Sequence, residues 1–234
     1  MMKDTIFPNT LLIHFSKMLK LATMRNSITF LQFKNALVDF PVFSTTDIYK
    51  VFPNIHRRRL HEWVGRGLLK RIVKGYYIFS DVPVDESLAY SIANRIYNPS
   101  YISLQSALNW YGLIPEFVPQ ITSVSTKKTT TLSTGIGSFA YSSVKESLMF
   151  GYDVLLLGDR GYKIKMAYPE KAILDLLYLN PHINSVEHFS ELRFNSGIFR
   201  EKVRPDVLAQ YLSFFSNKSL SKRVNILSDF MIGK

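Results

Sequence analysis

The stretch from Ile55 to Phe79 constrains what this chain can fold into more than any other. Residues 55 to 66 set His56, Leu60, Trp63 and Val64 on one face of a helix, and Asn54, Arg58, His61 and Glu62 on the other. Gly67 follows where a glycine commonly ends a helix. Leu68 to Phe79 (LLKRIVKGYYIF) then carries two apolar runs around Lys74-Gly75, the pattern of a two-stranded hairpin. Upstream, Ile28, Leu31, Ala36, Leu37 and Phe40 fall near helical spacing across residues 27 to 40, after a Ser27 cap, and Pro41 stops that helix. Ser44, Thr45, Thr46 and Asp47 offer N-cap side chains for a short second helix, Asp47 to Val51, and Pro53-Asn54 makes the turn into the third. The order helix, short helix, basic helix, glycine, basic hairpin predicts a winged helix-turn-helix over residues 24 to 83, a fold that lays the latter helix of its helix-turn-helix pair, here the basic one over 55 to 66, in a major groove.

Charge agrees with that reading. The chain carries +11 overall, and residues 24 to 83 hold ten basic side chains against Asp39, Asp47, Glu62 and Asp81, a net +6. Residues 84 to 234 are nearly balanced, with sixteen basic and thirteen acidic groups. Basic charge gathered in one small domain is the footprint of a polyanion, since neutralising phosphates releases condensed counterions. A solvated basic face would show the same excess, so the order of elements has to decide. Arg57, Arg58 and Arg59 point about 100° apart and cannot all enter one groove. Arg58 is the base-reading candidate, Arg57 flanks it, and Arg59 pairs with Glu62. His61 is a DNA contact. His56, five residues away and off the spacing of paired metal ligands, belongs to the core. Lys70, Arg71, Lys74 and Tyr76 lie along the phosphate backbone, and Ser44, Thr45, Thr46 and Asn54 complete the expected set.

Pro83-Val84-Asp85 marks a change of composition, and a second domain is expected over residues 84 to 234. Its pattern predicts helices over 85 to 98 and 101 to 116, and strands near 120 to 126, 137 to 141, 153 to 157 and 162 to 166. Helices follow over 169 to 180, 186 to 194, 205 to 215 and 219 to 231. The fold class is therefore α+β: an N-terminal winged helix-turn-helix, then a larger mixed α/β domain with a small sheet and C-terminal helices. The 47% hydrophobic content is ample for two cores. No cysteine is present, which removes disulfides, thiolate metal sites and a cysteine nucleophile. The apolar stretches are too short to cross a bilayer, and the first 23 residues lack the core and cleavage site of a signal peptide, so a cytoplasmic protein is expected. Met24 is a candidate start, which would make residues 1 to 23 a non-native extension.

Three segments of the second domain, YISLQSALNWYGLIP (101 to 115), QITSVSTKK (120 to 128) and YPEKAILDLLYL (168 to 179), resemble hallmarks of AbiEi-type proteins, and GLLKRIVKGYYIF (67 to 79) is similar to the wing region of that family. These are antitoxins and transcriptional regulators of bacterial abortive-infection toxin–antitoxin pairs. The resemblance implies a repressor of its own operon whose second domain counteracts a nucleotidyltransferase-like toxin. Lys127, Lys128 and Lys145 are the candidate antitoxin surface.

Catalytic patterns were sought as well. No acidic residue has lysine two positions on, no Asp-x-Asp or Asp-x-Glu pair exists, and no Gly-x-x-x-x-Gly-Lys occurs. No enzyme activity, cofactor or metal is expected. The competing readings are a stand-alone winged-helix regulator whose second domain senses or dimerises, and a metal-dependent nuclease in which Asp153, Asp159 and Glu170 converge with Lys163 or Lys165.

Overall fold

The computed structural model describes residues 28–115 and 120–233. It is a mixed α/β structure with one sheet of three strands and one of six. The chain divides into two compact units between Pro83 and Val84. The expected boundary after residue 23 lies outside the described residues.

In the first unit, helix α1 (Phe30–Leu37) is closed by a reciprocal capping box between Thr29 and Gln32. Strand β1 (Phe43–Ser44) leads into α2 (Thr45–Val51), where Ser44 and Asp47 form a second such box. Phe52 and Ile55 are buried in the turn that follows. Helix α3 (Arg57–Gly65) then precedes strands β2 (Leu69–Val73) and β3 (Tyr76–Phe79). The three strands are antiparallel in the order β1-β3-β2. Phe33 sits at the centre of the core, its ring 4.6 Å from Trp63 and 5.7 Å from Phe52. Leu37, Ile48, Leu60 and Leu69 close around it.

Three expectations for this unit are corrected. The first helix spans 30 to 37 and buries Phe33 and Leu37, whereas Leu31 and Phe40, both expected inside, are 66% and 37% exposed. Thr29 caps the helix, two residues beyond the expected Ser27, and the buried face runs through Phe33 and Leu37, four residues apart. The second helix starts two residues early, at Thr45, because Ser44, the first of the four expected N-cap residues, is the one that caps it. His56 is exposed: it stands at the N-cap of α3 with extended backbone, so its side chain does not follow the helical stripe.

The second unit contains α4 (Glu86–Ile96), β4 (Ser100–Ile102), α5 (Leu104–Trp110), β5 (Gln120–Ser125), β6 (Thr130–Thr134) and β7 (Gly137–Ser143). Then come β8 (Tyr152–Leu157), β9 (Tyr162–Ala167), α6 (Pro169–Leu179), α7 (Val186–Glu191), α8 (Ser196–Lys202), α9 (Pro205–Phe215) and α10 (Lys218–Ile232). The strand order is β6-β7-β5-β4-β9-β8, with β5/β7 and β4/β9 parallel and the other pairs antiparallel. Helices cover both faces. Tyr101 of β4 reaches Asp175 on α6, while Tyr141 of β7, on the other face, donates its hydroxyl to the Ala93 carbonyl of α4. The sheet has six strands rather than the expected four. Residues 100 to 102 form a strand instead of the start of a helix, and the Thr-rich β6 and the short α8 were not anticipated. At the far end, Arg223 of α10 is buried and donates Nη1 to the carbonyls of Leu177 and Asn180, satisfying the open C-terminal end of α6.

The most costly arrangement in this unit is a charge pair with no exposure at all. Lys171 and Asp175, one turn apart on α6, are both completely buried and bonded to each other. Tyr101 and Ser103 donate their hydroxyls to the second carboxylate oxygen, each at 2.8 Å. The ammonium also lies 5.1 Å from the rings of Phe150 and Phe215 and 5.4 Å from that of Tyr101. Gly151 makes room for the lysine stem: at φ +69° it takes a left-handed conformation, and a Cβ there would stand 3.0 Å from Lys171 Cβ and Cγ.

Burial raises the pKa of Tyr90, Tyr101 and Tyr141 above the ordinary value of 10.0; carboxylates of Glu86 and Asp175 add to the effect at the first two. A raised folded-state pKa gives stability that is fully present below pH 10 and is lost as pH climbs above it, because only the unfolded chain can release those protons. Lys171 works the other way. Desolvation lowers its pKa, which adds stability as pH rises to its ordinary 10.5 and none beyond. Between about pH 10.5 and 11.5 the three tyrosines should together remove about 4 kcal/mol, at about 1.4 kcal/mol per group and unit. Thermal melts across that range, beside an absorbance titration in which at least three of the thirteen tyrosines ionise only on unfolding, would bear this out; ionisation of all thirteen in the folded chain would refute it.

Candidate nucleic-acid interface

The outward surface of α3 and the β2–β3 hairpin follows from how their inward sides are fixed. Leu60 and Trp63 bury against the first-unit core, so Arg57, Arg58 and His61 are left exposed. Asn54, in the turn before α3, is exposed as well. The hairpin is fastened at its tip. Gly75, at φ +85°, accepts a 2.8 Å bond at its carbonyl from the N–H of Thr45, the first residue of α2. That bond fixes Lys74 relative to the helix pair. Lys70 and Arg71 point to solvent on β2, whose pairing with β3 shifts between Arg71 and Val73. Because the shift comes after Arg71, Lys70 and Arg71 still alternate in regular register, and the two exposed basic side chains stand on opposite faces of the strand.

The basic side chains divide into two groups. Arg59 is held inward: it pairs with Glu62 at 3.3 Å, donates to the Ile28 carbonyl at 3.0 Å and lies 5.6 Å from the Trp63 ring centre. Arg66 sits 3.9 Å from Glu62, and Lys34 pairs with Asp81. Among the described residues no carboxylate pairs with Arg57, Arg58, Lys70, Arg71 or Lys74, and all five are exposed.

The remaining site residues are placed less openly. Ser44 is committed to its cap, accepting from the Asp47 N–H at 3.1 Å and donating its hydroxyl to the Asp47 carboxylate at 2.7 Å. Thr45 and Tyr76 are half-buried, and Thr46 is exposed. In the second unit, Lys127, Lys128 and Lys145 are exposed at one end of the sheet, because β5 and β7 run parallel with Ser125 opposite Ser143. Lys127 Nζ lies 5.3 Å from the Tyr97 ring centre, and the Lys128 carbonyl accepts from the Tyr97 hydroxyl at 2.6 Å.

Of the three carboxylates of the metal reading, Asp159 is exposed in the turn after β8 and the other two are engaged separately. Asp153 accepts from the Tyr168 hydroxyl at 3.0 Å, and buried Glu170 accepts from the Arg204 N–H at 2.8 Å. Lys163 and Lys165 sit opposite Leu156 and Val154, one residue out of phase with Asp153, so strand alternation turns them to the other sheet face. Among the described residues no three His, Asp or Glu side chains gather as a metal site. Compared with known proteins, the chain matches no family model and no curated protein.

Proposed function

We propose that this chain is a sequence-specific DNA-binding repressor, that its first unit is a winged helix-turn-helix, and that it serves as the antitoxin of an AbiEi-type toxin–antitoxin pair. The observation that carries the DNA reading is the unpaired cationic surface of Arg57, Arg58, Lys70, Arg71 and Lys74 on α3 and the adjoining hairpin. In this reading α3 enters the major groove, with Arg58 and His61 at base edges, and the hairpin is the wing on the backbone. The antitoxin role rests on the resemblance of residues 101 to 115, 120 to 128 and 168 to 179. Operation in the cytoplasm belongs to the same proposal. Among the described residues no helix is long and apolar enough to cross a membrane.

The test is fluorescence anisotropy of the full chain on its own promoter. With about six phosphates neutralised, a fourfold rise in salt lowers affinity roughly a thousandfold. Arg58→Ala relaxes preference at one base position by about 1–3 kcal/mol, whereas Lys74→Ala weakens all sequences alike. Binding that ignores salt defeats the reading, and a base preference changed by Lys74→Ala alone reverses the two roles.

A further inference from the structure

We infer that the second unit pairs with a second copy of this chain through strand β8, edge to edge and antiparallel, about a two-fold axis at Leu155. The starting point is the direction of the backbone groups along β8, the last strand of the six-stranded sheet. The Tyr168 N–H donates to the Gly151 carbonyl at 2.9 Å, in the same register that sets Asp153 opposite Met166 and Leu155 opposite Ile164. Hydrogen-bonded pairs alternate along an antiparallel ladder, so 153, 155 and 157 turn their N–H and C=O groups toward β9, and 152, 154 and 156 turn theirs outward. Two independent bonds agree. The Lys165 N–H donates to Asn94 Oδ1 rather than to Val154, and the Val154 N–H is taken up by the carboxylate of its own neighbour Asp153.

The outward-turned residues also carry exposed apolar side chains: Val154 is 49% and Leu156 67% exposed. An edge strand with aliphatic side chains invites another strand, and this edge carries none of the lysine or proline that usually blunts one; on pairing, the Val154 N–H exchanges the Asp153 carboxylate that now holds it for a carbonyl of the incoming strand. The sequence YDVLLL selects its own copy. Only outward-turned residues can bond across such a seam, which places the two-fold axis on a residue and not between two. About Leu155, Val154 of each copy meets Leu156 of the other in a hydrogen-bonded pair, and four aliphatic side chains join on one face. An axis at 154 or 156 sets Leu156 against Tyr152 or Val154 against Gly158, losing one apolar pair each time.

Charge permits the pairing. Residues 154 to 157 are uncharged, Asp153 of each copy stands opposite Leu157 of the other rather than opposite a like charge, and Lys163 and Lys165 stand one strand back. Lysines of the two copies are therefore about three strand spacings apart, roughly 14 Å, beyond the screening length at physiological salt. A seam of six residues buries less than the roughly 1,200–2,000 Å² of a stable interface, so the pair is a micromolar dimer. It is isologous, each copy giving and receiving the same contacts.

The absence of cysteine makes a direct test possible. At the axis, Leu155 faces its counterpart as a non-hydrogen-bonded pair with Cα atoms about 4.5 Å apart, a separation that a disulfide spans. Full-length Leu155→Cys should form a covalent dimer under mild oxidation, and Asp159→Cys, exposed in the turn after β8, should not. Light scattering of the unmodified chain should rise from 27.0 kDa toward twice that mass with concentration. Leu156→Lys, checked by circular dichroism for an intact fold, should hold it at the monomer mass. A monomer at all concentrations up to about 200 µM overturns the inference. So does a dimer that survives Leu156→Lys, which would place the interface elsewhere.

Discussion

Asp175→Ala is expected to cost the second unit about 3–5 kcal/mol, a large part of the stability of an ordinary domain. The argument turns on what remains behind. Lys171 would keep its position in a fully buried setting between Tyr101, Phe150 and Phe215, with no anion to balance it. Tyr101 and Ser103 would also lose the carboxylate that accepts both hydroxyls. Three aromatic rings attract an ammonium but do not replace a carboxylate at hydrogen-bond distance. Lys171→Met in the same chain should recover much of the loss, because an apolar side chain of similar length leaves no charge to desolvate and packs on the same rings. The two substitutions are in direct contact, so their effects should be strongly non-additive. Urea unfolding of the wild type, both single variants and the double variant measures this. Additive losses would mean that the pair is not coupled.

That pair also shows where a sequence stops being legible. YPEKAILDLLYL reads as a helix from its apolar spacing, and Ile173, Leu174, Leu176 and Leu177 are indeed buried. A lysine and an aspartate four apart look like a solvated pair on such a helix. What buries them is Tyr101, 74 residues before Asp175, together with Phe150 and Phe215, and no local pattern reports that. The same limit explains residues 100 to 102. A short strand buried on both faces is an apolar run that periodicity cannot separate from a helix start. Elements of the first unit were easier, since the cap at Ser44, the stripe of Leu60 and Trp63 and the turn at Lys74-Gly75 are local signals, although the first helix is capped by Thr29, two residues beyond the expected Ser27. Of its candidate contacts, the exposed positions of Arg57, Arg58 and His61 could be read from the helical wheel. The inward anchoring of Arg59 on Ile28, 31 residues away, could be read only in part, through Glu62.

Changing Arg57, Arg58 and His61 together to alanine should lower promoter affinity by roughly 1,000-fold, at about 1–2 kcal/mol for each lost contact to a base or phosphate. Stability should barely change, because the three side chains are exposed and none is part of the Phe33 core. Alanine is also a strong helix former, so α3 is not weakened. The proposed antitoxin function should survive the same triple change, since it rests on the resemblance of segments within residues 101 to 179, all beyond Val84. Truncation after Pro83 should do the reverse, removing toxin neutralisation and leaving residual DNA binding, provided that the first unit holds its small core alone. The readout is growth on co-expression with the adjacent toxin candidate, at matched protein levels, beside anisotropy on the promoter. Rescue of growth by residues 1 to 83 alone, or its loss in the triple variant, would mean that neutralisation runs through the cationic surface and that the two roles share one site.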